Sequence, residues 1–519
     1  MTHPTDHPAA GGPATTGAGA GITNAARPID GPTARPHDRP TAFCLHALGA
    51  SALEFEGLRE RLAETLDVVA IDLPGFGDAA DDTRGGVTVD DMVRQVAQRI
   101  HENGATRWLL VGHSMGGKIS SVVASQTLSG ANGLYGLAGV VLLAASPTSP
   151  EPMDEERRET MLGWAAEGRL DEAAARDFVD ANVGAPLDPA DDERMTTDVR
   201  RASREAWLAW LEQGSREDWS PDVGVLDVPA LIVAGGADGD LGPEAQRALN
   251  GRTYPRARHL VLDGAGHLLP LERPDEVADA VGAFWRDEAG RAPSPSPDFS
   301  ATIAGPRTSS KTRGILARRA LADDPRYEPR VLSAEQLRTL RVLADVVVPQ
   351  DAGIRAIDLA ARVDAQLARG EGDGWRNADL PPDPEAYRLA LDALADFADR
   401  TAAQQVELVT AIVAGDPDPE LQHHGDSGGG SSHHGDQPDG GEDAPEPEEA
   451  RPLSVEQLTA WFEDCRVDLV RHWLSHPATM EQIGFDGFAN GGDGVRMQGF
   501  RRLGADEREG WEPRMEMAR

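Results

Sequence analysis

The chain has 519 residues, 40% of them hydrophobic and 5% aromatic, with a formal net charge of −37 at pH 7. Single cores seldom grow far past ~250–300 residues, so more than one domain is expected. The 87 acidic residues against 50 basic ones repel phosphate backbones and anionic lipid, which argues against nucleic-acid and membrane-surface partners. Cys44 and Cys465 are the only cysteines, which excludes a disulfide framework and fits a reducing compartment. No run approaches the ~18 apolar residues of a membrane span and residues 1–38 hold no secretory apolar segment, so a cytoplasmic location is expected.

Residues 1–38 are rich in Pro, Gly, Ala and Thr, and are expected to be disordered. From 39 to 289, strand-length apolar runs alternate with helical patterns. The strand candidates are 41–48, 68–73, 108–114, 139–146, 230–236 and 259–267. They read as continuous rather than alternating apolar runs, as parallel strands buried on both faces should. Helix-length stretches at 52–65, 89–103, 115–129 and 274–288 separate them, and the alternation predicts a mostly parallel α/β sheet covered on both sides. Residues 150–220 break the pattern with helical sequence alone, and are expected to form a helical lid.

A Pro/Ser/Gly/Arg-rich stretch at 290–325 predicts a linker, followed by a separate, mainly α-helical domain over 326–519. Ser333 with Gln336, and Ser454 with Gln457, have capping-box spacing ahead of helical patterns. Helices are also expected over 384–399 and 401–414. Residues 416–452, acidic and rich in Gly and His, predict a disordered insert. His423, His424, His433 and His434 lie within it, but so flexible a segment offers nothing to orient metal ligands.

The chemistry concentrates at Gly112-His113-Ser114-Met115-Gly116, directly after an apolar strand and before a helical run. On that strand-to-helix turn a serine sits in a strained conformation with its hydroxyl exposed, while the flanking glycines remove clashing side chains. A serine nucleophile needs a base, and the base an orienting carboxylate. His267 ends the run HLVLDGAGH, and Asp238 ends ALIVAGGAD, giving the order Ser114, Asp238, His267. Asp240 is the reserve acid, and Asp263 is expected to serve the turn, as is Asp72. The loop after the first strand follows His46, so the backbone N–H groups of Leu48 and Met115 are the candidate oxyanion donors. Trp164, Trp207 and Trp210 are candidates to line an acyl pocket, with plain packing as the equal alternative. His113 is expected to be a packing or hydrogen-bonding neighbour.

With HALGAS, DLPGFGD, GHSMGG, GGAD and GAGH in this order, residues 40–289 resemble the α/β-hydrolase fold. The resemblance implies acyl transfer by Ser, Asp and His under a lid, without metal or organic cofactor, on a small-molecule ester or lactone. The family usually carries His-Gly where this chain has His46-Ala47, which predicts a narrowed oxyanion loop, and its opening antiparallel strands have no counterpart before residue 40. Residues 332–351 and 476–500 resemble the small subunit (subunit 3) of gluconate 2-dehydrogenase. That resemblance implies a partner, a flavin-bearing dehydrogenase of the glucose–methanol–choline type. It leaves open a second reading, an accessory subunit in which the hydrolase domain is secondary.

Overall fold

The computed structural model describes residues 39–350, 356–371, 377–416 and 451–493. The opening segment, the acidic insert from 417 to 450 with its four histidines, and the C-terminal signature from 494 onward lie outside the described residues.

Six strands form one sheet: β1 (Thr41–Leu45), β2 (Asp67–Ile71), β3 (Trp108–His113), β4 (Leu137–Leu143), β5 (Ala230–Gly235) and β6 (Arg258–Leu262). Their spatial order is β2-β1-β3-β4-β5-β6, and every pairing is parallel. Alternate side chains feed two cores. Phe43, Leu45 and Leu110 face the helices Val89–Asn103 and Met115–Ser129, while Ala42, Leu109 and Val111 face Glu56–Leu62 and Pro274–Asp287. Both faces are therefore apolar, which is why the strands carry no polar alternation. Each fully buried Leu, Val or Phe contributes ~1.5–3 kcal/mol of transfer free energy.

Between β4 and β5 the chain makes the helices Glu155–Trp164, Glu172–Asp180, Pro189–Arg201, Arg204–Ala209 and Ser220–Val223, with a π-helical stretch at Trp210–Gly214. Asp154, Asp171, Asp188 and Ser203 each accept a backbone N–H at the start of one of these helices. The short polar side chains therefore set the helix starts in an otherwise weakly patterned stretch.

Residues 290–325 differ from the expected linker. They contain helices Pro297–Ala304 and Ser310–Arg319, started by the N-caps Ser296 and Ser309. Phe299, Ile303, Leu316 and Ala317 join the same core as the helix Met115–Ser129. Gly130 and Gly314 let this second helix approach closely: a Cβ on either would press into backbone of the other segment. The serines are caps, Pro297 opens a helix, and the glycine permits contact, so a composition typical of linkers serves packing here.

The helical C-terminal region has its own core, in which Leu340, Leu343, Val363, Tyr387, Phe397, Trp461 and Leu469 are buried. Both expected capping boxes form, at Ser333/Gln336 and Ser454/Gln457, and a third forms at Thr401/Gln404. The Asn490-Gly-Gly-Asp493 turn folds back on the chain: the N–H groups of Gly491 and Gly492 donate to the Arg307 carbonyl at 3.0 and 2.7 Å. The Asp493 carboxylate accepts the backbone N–H of Ser310 at 3.0 Å, at the start of helix Ser310–Arg319.

Asp364 is the principal polar anchor of this region. Fully buried, its carboxylate accepts the Tyr327 hydroxyl at 2.7 Å and the N–H groups of Arg330, Val331 and Leu332 at 2.7, 3.1 and 2.8 Å. Asp364→Ala would strand all four donors, and a loss of about 3–5 kcal/mol is expected. A urea titration checks this; a midpoint equal to wild type would contradict it.

Candidate active site

Ser114 joins β3 to the helix Met115–Ser129 with φ 49° and ψ −117°. A non-glycine residue there costs about 1–3 kcal/mol and persists only where its surroundings over-determine it. They do. Its N–H donates to the Leu143 carbonyl at 3.0 Å, and its carbonyl accepts from Gly117 and Ser146 at 2.8 and 2.9 Å. A Cβ on Gly116 would press into the Leu45 carbonyl of β1, and one on Gly112 into the Gly116 carbonyl. The GxSxG spacing is thus a statement about how closely strand, turn and helix approach.

His267 follows β6 and lies beside this turn. Its Nε2 is 2.8 Å from Ser114 Oγ, and its Nδ1 is 2.7 Å from Asp238 Oδ2. A carboxylate accepts, so Nδ1 carries the proton and Nε2 is free to accept from the serine hydroxyl. Asp238 Oδ1 also takes the Leu241 N–H at 3.2 Å. Burial alone would lower the His267 pKa, but the charge and hydrogen bond of Asp238, with a smaller push from Glu151, raise it above the ordinary imidazole value. Burial pushes Asp238 upward, but His267 more than reverses this and holds it below the usual carboxylate range. Asp240, the reserve acid, is instead paired with Arg157 at 2.8 Å, and Asp263 is exposed. Asp72 takes the N–H groups of Ala52 and Asp78 at 2.7 and 3.0 Å, which fixes turns.

The loop after β1 is locked from both sides of Ala47. His46 Nε2 accepts the Leu73 N–H at 3.0 Å, so its Nδ1 carries the proton and donates to the Ala47 carbonyl at 2.7 Å. In a trans peptide the carbonyl and the following N–H point opposite ways, so this bond turns the Leu48 N–H away from His46. Leu48 lines the same pocket as Ser114 and His267. Met115 opens the helix after Ser114, so its N–H is among the four left without an intrahelical acceptor. Among the described residues only Ser114 and Ala144 are non-glycines at positive φ, so Ala47 needs no glycine, and its methyl simply adds to the pocket wall.

Met153, Met161, Phe178, Trp210 and Leu241 supply apolar walls, and Glu151, Arg157 and Asn182 polar ones. Of the three candidate tryptophans, Trp210 alone is part of this lining. Trp207 is fully buried, packs edge-to-face on Phe178 and donates to the Met161 carbonyl at 3.0 Å, while Trp164 packs against the same core. Helical spacing alone does not distinguish a wall from the layer behind it. Glu54, Glu151 and Arg157 were not singled out by sequence reasoning. The available signal for Glu54 was an acid flanked by Leu53 and Phe55. Among the described residues no group of three His, Cys, Asp or Glu side chains is placed to hold a metal ion, and no helix is long and apolar enough to cross a membrane.

Comparison with known proteins divides the chain in two. Residues 42–280 match the alpha/beta hydrolase family, and residues 334–489 match gluconate 2-dehydrogenase subunit 3. A 2-succinyl-6-hydroxy-2,4-cyclohexadiene-1-carboxylate synthase of Citrobacter koseri is 26% identical over 270 residues, covering 48% of this chain and 94% of that protein. The biotin biosynthesis bifunctional protein BioHC of Teredinibacter turnerae is 27% identical over 281 residues, covering 49% of this chain and 46% of that one. Among solved structures, the enol-lactonase of Burkholderia xenovorans aligns with a TM-score of 0.42 and 22% identity, over 48% of this chain and 93% of that one. The parallel sheet, the strained serine turn and the two matches together identify an α/β-hydrolase family domain joined to a gluconate 2-dehydrogenase subunit 3 domain.

Proposed function

We propose that the chain is a serine hydrolase that cleaves a small carboxylic ester or lactone through an acyl-enzyme. The observation that carries this reading is the continuous contact from Ser114 Oγ through His267 to Asp238, at 2.8 and 2.7 Å. In this mechanism His267 Nε2 takes the hydroxyl proton as Ser114 Oγ attacks the carbonyl carbon. Asp238 holds the imidazole tautomer and stabilises the imidazolium. The Leu48 and Met115 N–H groups receive the oxyanion, aided by the positive end of the helix behind Met115. The imidazolium returns its proton to the leaving alkoxide, and a water activated by the same nitrogen frees the acid. The chemistry calls on side chains and backbone of this chain alone.

A fluorophosphonate probe should label Ser114 in the wild type, with labelling lost in Ser114→Ala and His267→Ala. A folded protein that resists the probe would end this reading.

The pH dependence has a definite sign. Only neutral His267 accepts the proton, and its pKa is raised, so kcat/KM should climb with pH through an inflection above the ordinary imidazole value of 6.5. Asp238→Asn removes the charge that supports the imidazolium. The inflection should then fall, and kcat should drop by about 10⁴-fold. Glu151→Gln should move the inflection the same way by a smaller step. Pre-steady-state hydrolysis of p-nitrophenyl acetate from pH 5 to 9 measures all three, and an inflection unmoved in Asp238→Asn would contradict the assignment of the acid.

The match over residues 334–489 favours a second reading, in which the helical domain associates with a dehydrogenase subunit that bears flavin. The two readings join if that partner oxidises a sugar at its anomeric carbon, since the product is a lactone and a tethered hydrolase would meet it at high effective concentration. Co-purification with a flavoprotein at low salt, together with turnover of aldonolactones, is the expected result. Failure of both would remove it.

A further inference from the structure

Behind the serine turn lies a buried pair that the mechanism above does not use. Glu54 and His113 have side chains 2% and 0% exposed, and Glu54 Oε1 lies 3.0 Å from His113 Nδ1. The same Oε1 accepts the Ala47 N–H at 3.2 Å. On its other side, His113 Nε2 is 2.8 Å from the backbone carbonyl of His267. A carbonyl only accepts, so Nε2 carries a proton, and one further proton is held between Nδ1 and Oε1.

We infer that Glu54 and His113 are positioning residues that couple the oxyanion loop to the general base. The inference rests on the serine-hydrolase reading and deepens it. One carboxylate oxygen ties the Ala47 N–H, one peptide before the Leu48 N–H, through an imidazole to the backbone that bears the His267 ring. Two groups from loops after β1 and β6 are thereby held to one distance across the substrate. As a stabilising device the arrangement is poor: Glu54 Oε2 is buried without a partner among the described residues. A buried ion pair is often no better than well-packed apolar side chains of the same volume. An amide is no substitute either. A glutamine nitrogen facing Nδ1 cannot accept from Ala47, and a glutamine oxygen facing Ala47 cannot share a proton with a neutral Nδ1. The pair therefore does for geometry what neither an amide nor an apolar pair can do.

Glu54→Gln and the double variant Glu54→Met/His113→Met test this on the full chain. The readouts are the second-order rate of fluorophosphonate labelling at Ser114, kcat and KM for p-nitrophenyl acetate, and the thermal midpoint. Both variants should lose about 10–100-fold in labelling rate and kcat with KM within about threefold, as expected when reacting groups shift by a fraction of an ångström. The double variant strands the buried Ala47 N–H, so its thermal midpoint should fall modestly, and the loss of kcat at nearly unchanged KM is the split that a purely structural role would not produce. A labelling rate within twofold of wild type in either folded variant overturns the coupling, and so does failure of both to fold, which would assign the pair to the fold. An unlabelled wild type would instead sink the hydrolase reading, and the coupling with it.

Discussion

The backbone at Ser114 is the constraint on which the rest of the molecule turns. A residue at φ 49° survives because three neighbouring segments hydrogen-bond it in place: β4 through Leu143, the start of its own helix through Gly117, and the crossover after β4 through Ser146. The contacts to Leu143 and Ser146 require β4 beside β3, which is where the sheet places it. The helix after the turn must also come close enough to β1 for Gly116 to lie against the Leu45 carbonyl, so the helix itself is aimed by the absence of one methyl group. Sheet order, helix direction and an accessible hydroxyl are one solution to one packing problem.

The helical insertion is tied to this frame by a buried cation. Lys118, one turn into the helix after Ser114, is fully buried and donates to the carbonyls of Gly214 and Glu217, each at 2.9 Å. Burial pushes its pKa down to about 8, and its ammonium lies 5.7 Å from the centre of the Trp210 ring. Within the insertion, Arg158 donates to the Leu211 carbonyl at 2.7 Å and to Ser215 Oγ at 2.5 Å. Both reach the end of the π-helical stretch at Trp210–Gly214, whose wider turn leaves carbonyls that a regular helix would satisfy itself. The wall that Trp210 contributes is therefore positioned from below by the helix that starts at Ser114.

Much of this was legible because the relevant signals are local. Continuous apolar runs gave six strands, and the capping boxes at Ser333 and Ser454 gave two helix starts, because those patterns are set by neighbours along the chain. Ser114, His267 and Asp238 were readable because each follows a strand, and a parallel sheet brings all strand ends to one edge. What sequence could not show depends on three-dimensional neighbours. Asp238 and Asp240 are two residues apart along the chain, and only in three dimensions does the first meet His267 while the second pairs with Arg157. Glu54 gains its meaning from His113, 59 residues away. The Pro/Ser/Gly stretch at 290–325 reads as a linker yet packs as helices for the same reason: a glycine that allows close helix contact and one that allows freedom look identical in one dimension.

That stretch also decides how the two halves of the chain meet. Helix Ser310–Arg319 lies on the far end of the helix that starts after Ser114, at Gly130, and is capped from the C-terminal region by Asp493. Glu481 accepts the Ser296 N–H at 2.7 Å, and Phe488 packs edge-to-face on Phe299, with ring centroids 5.6 Å apart. Helix Ser310–Arg319 thus meets the end of the helix Met115–Ser129 about 21 Å from its first residue, at 1.5 Å per residue.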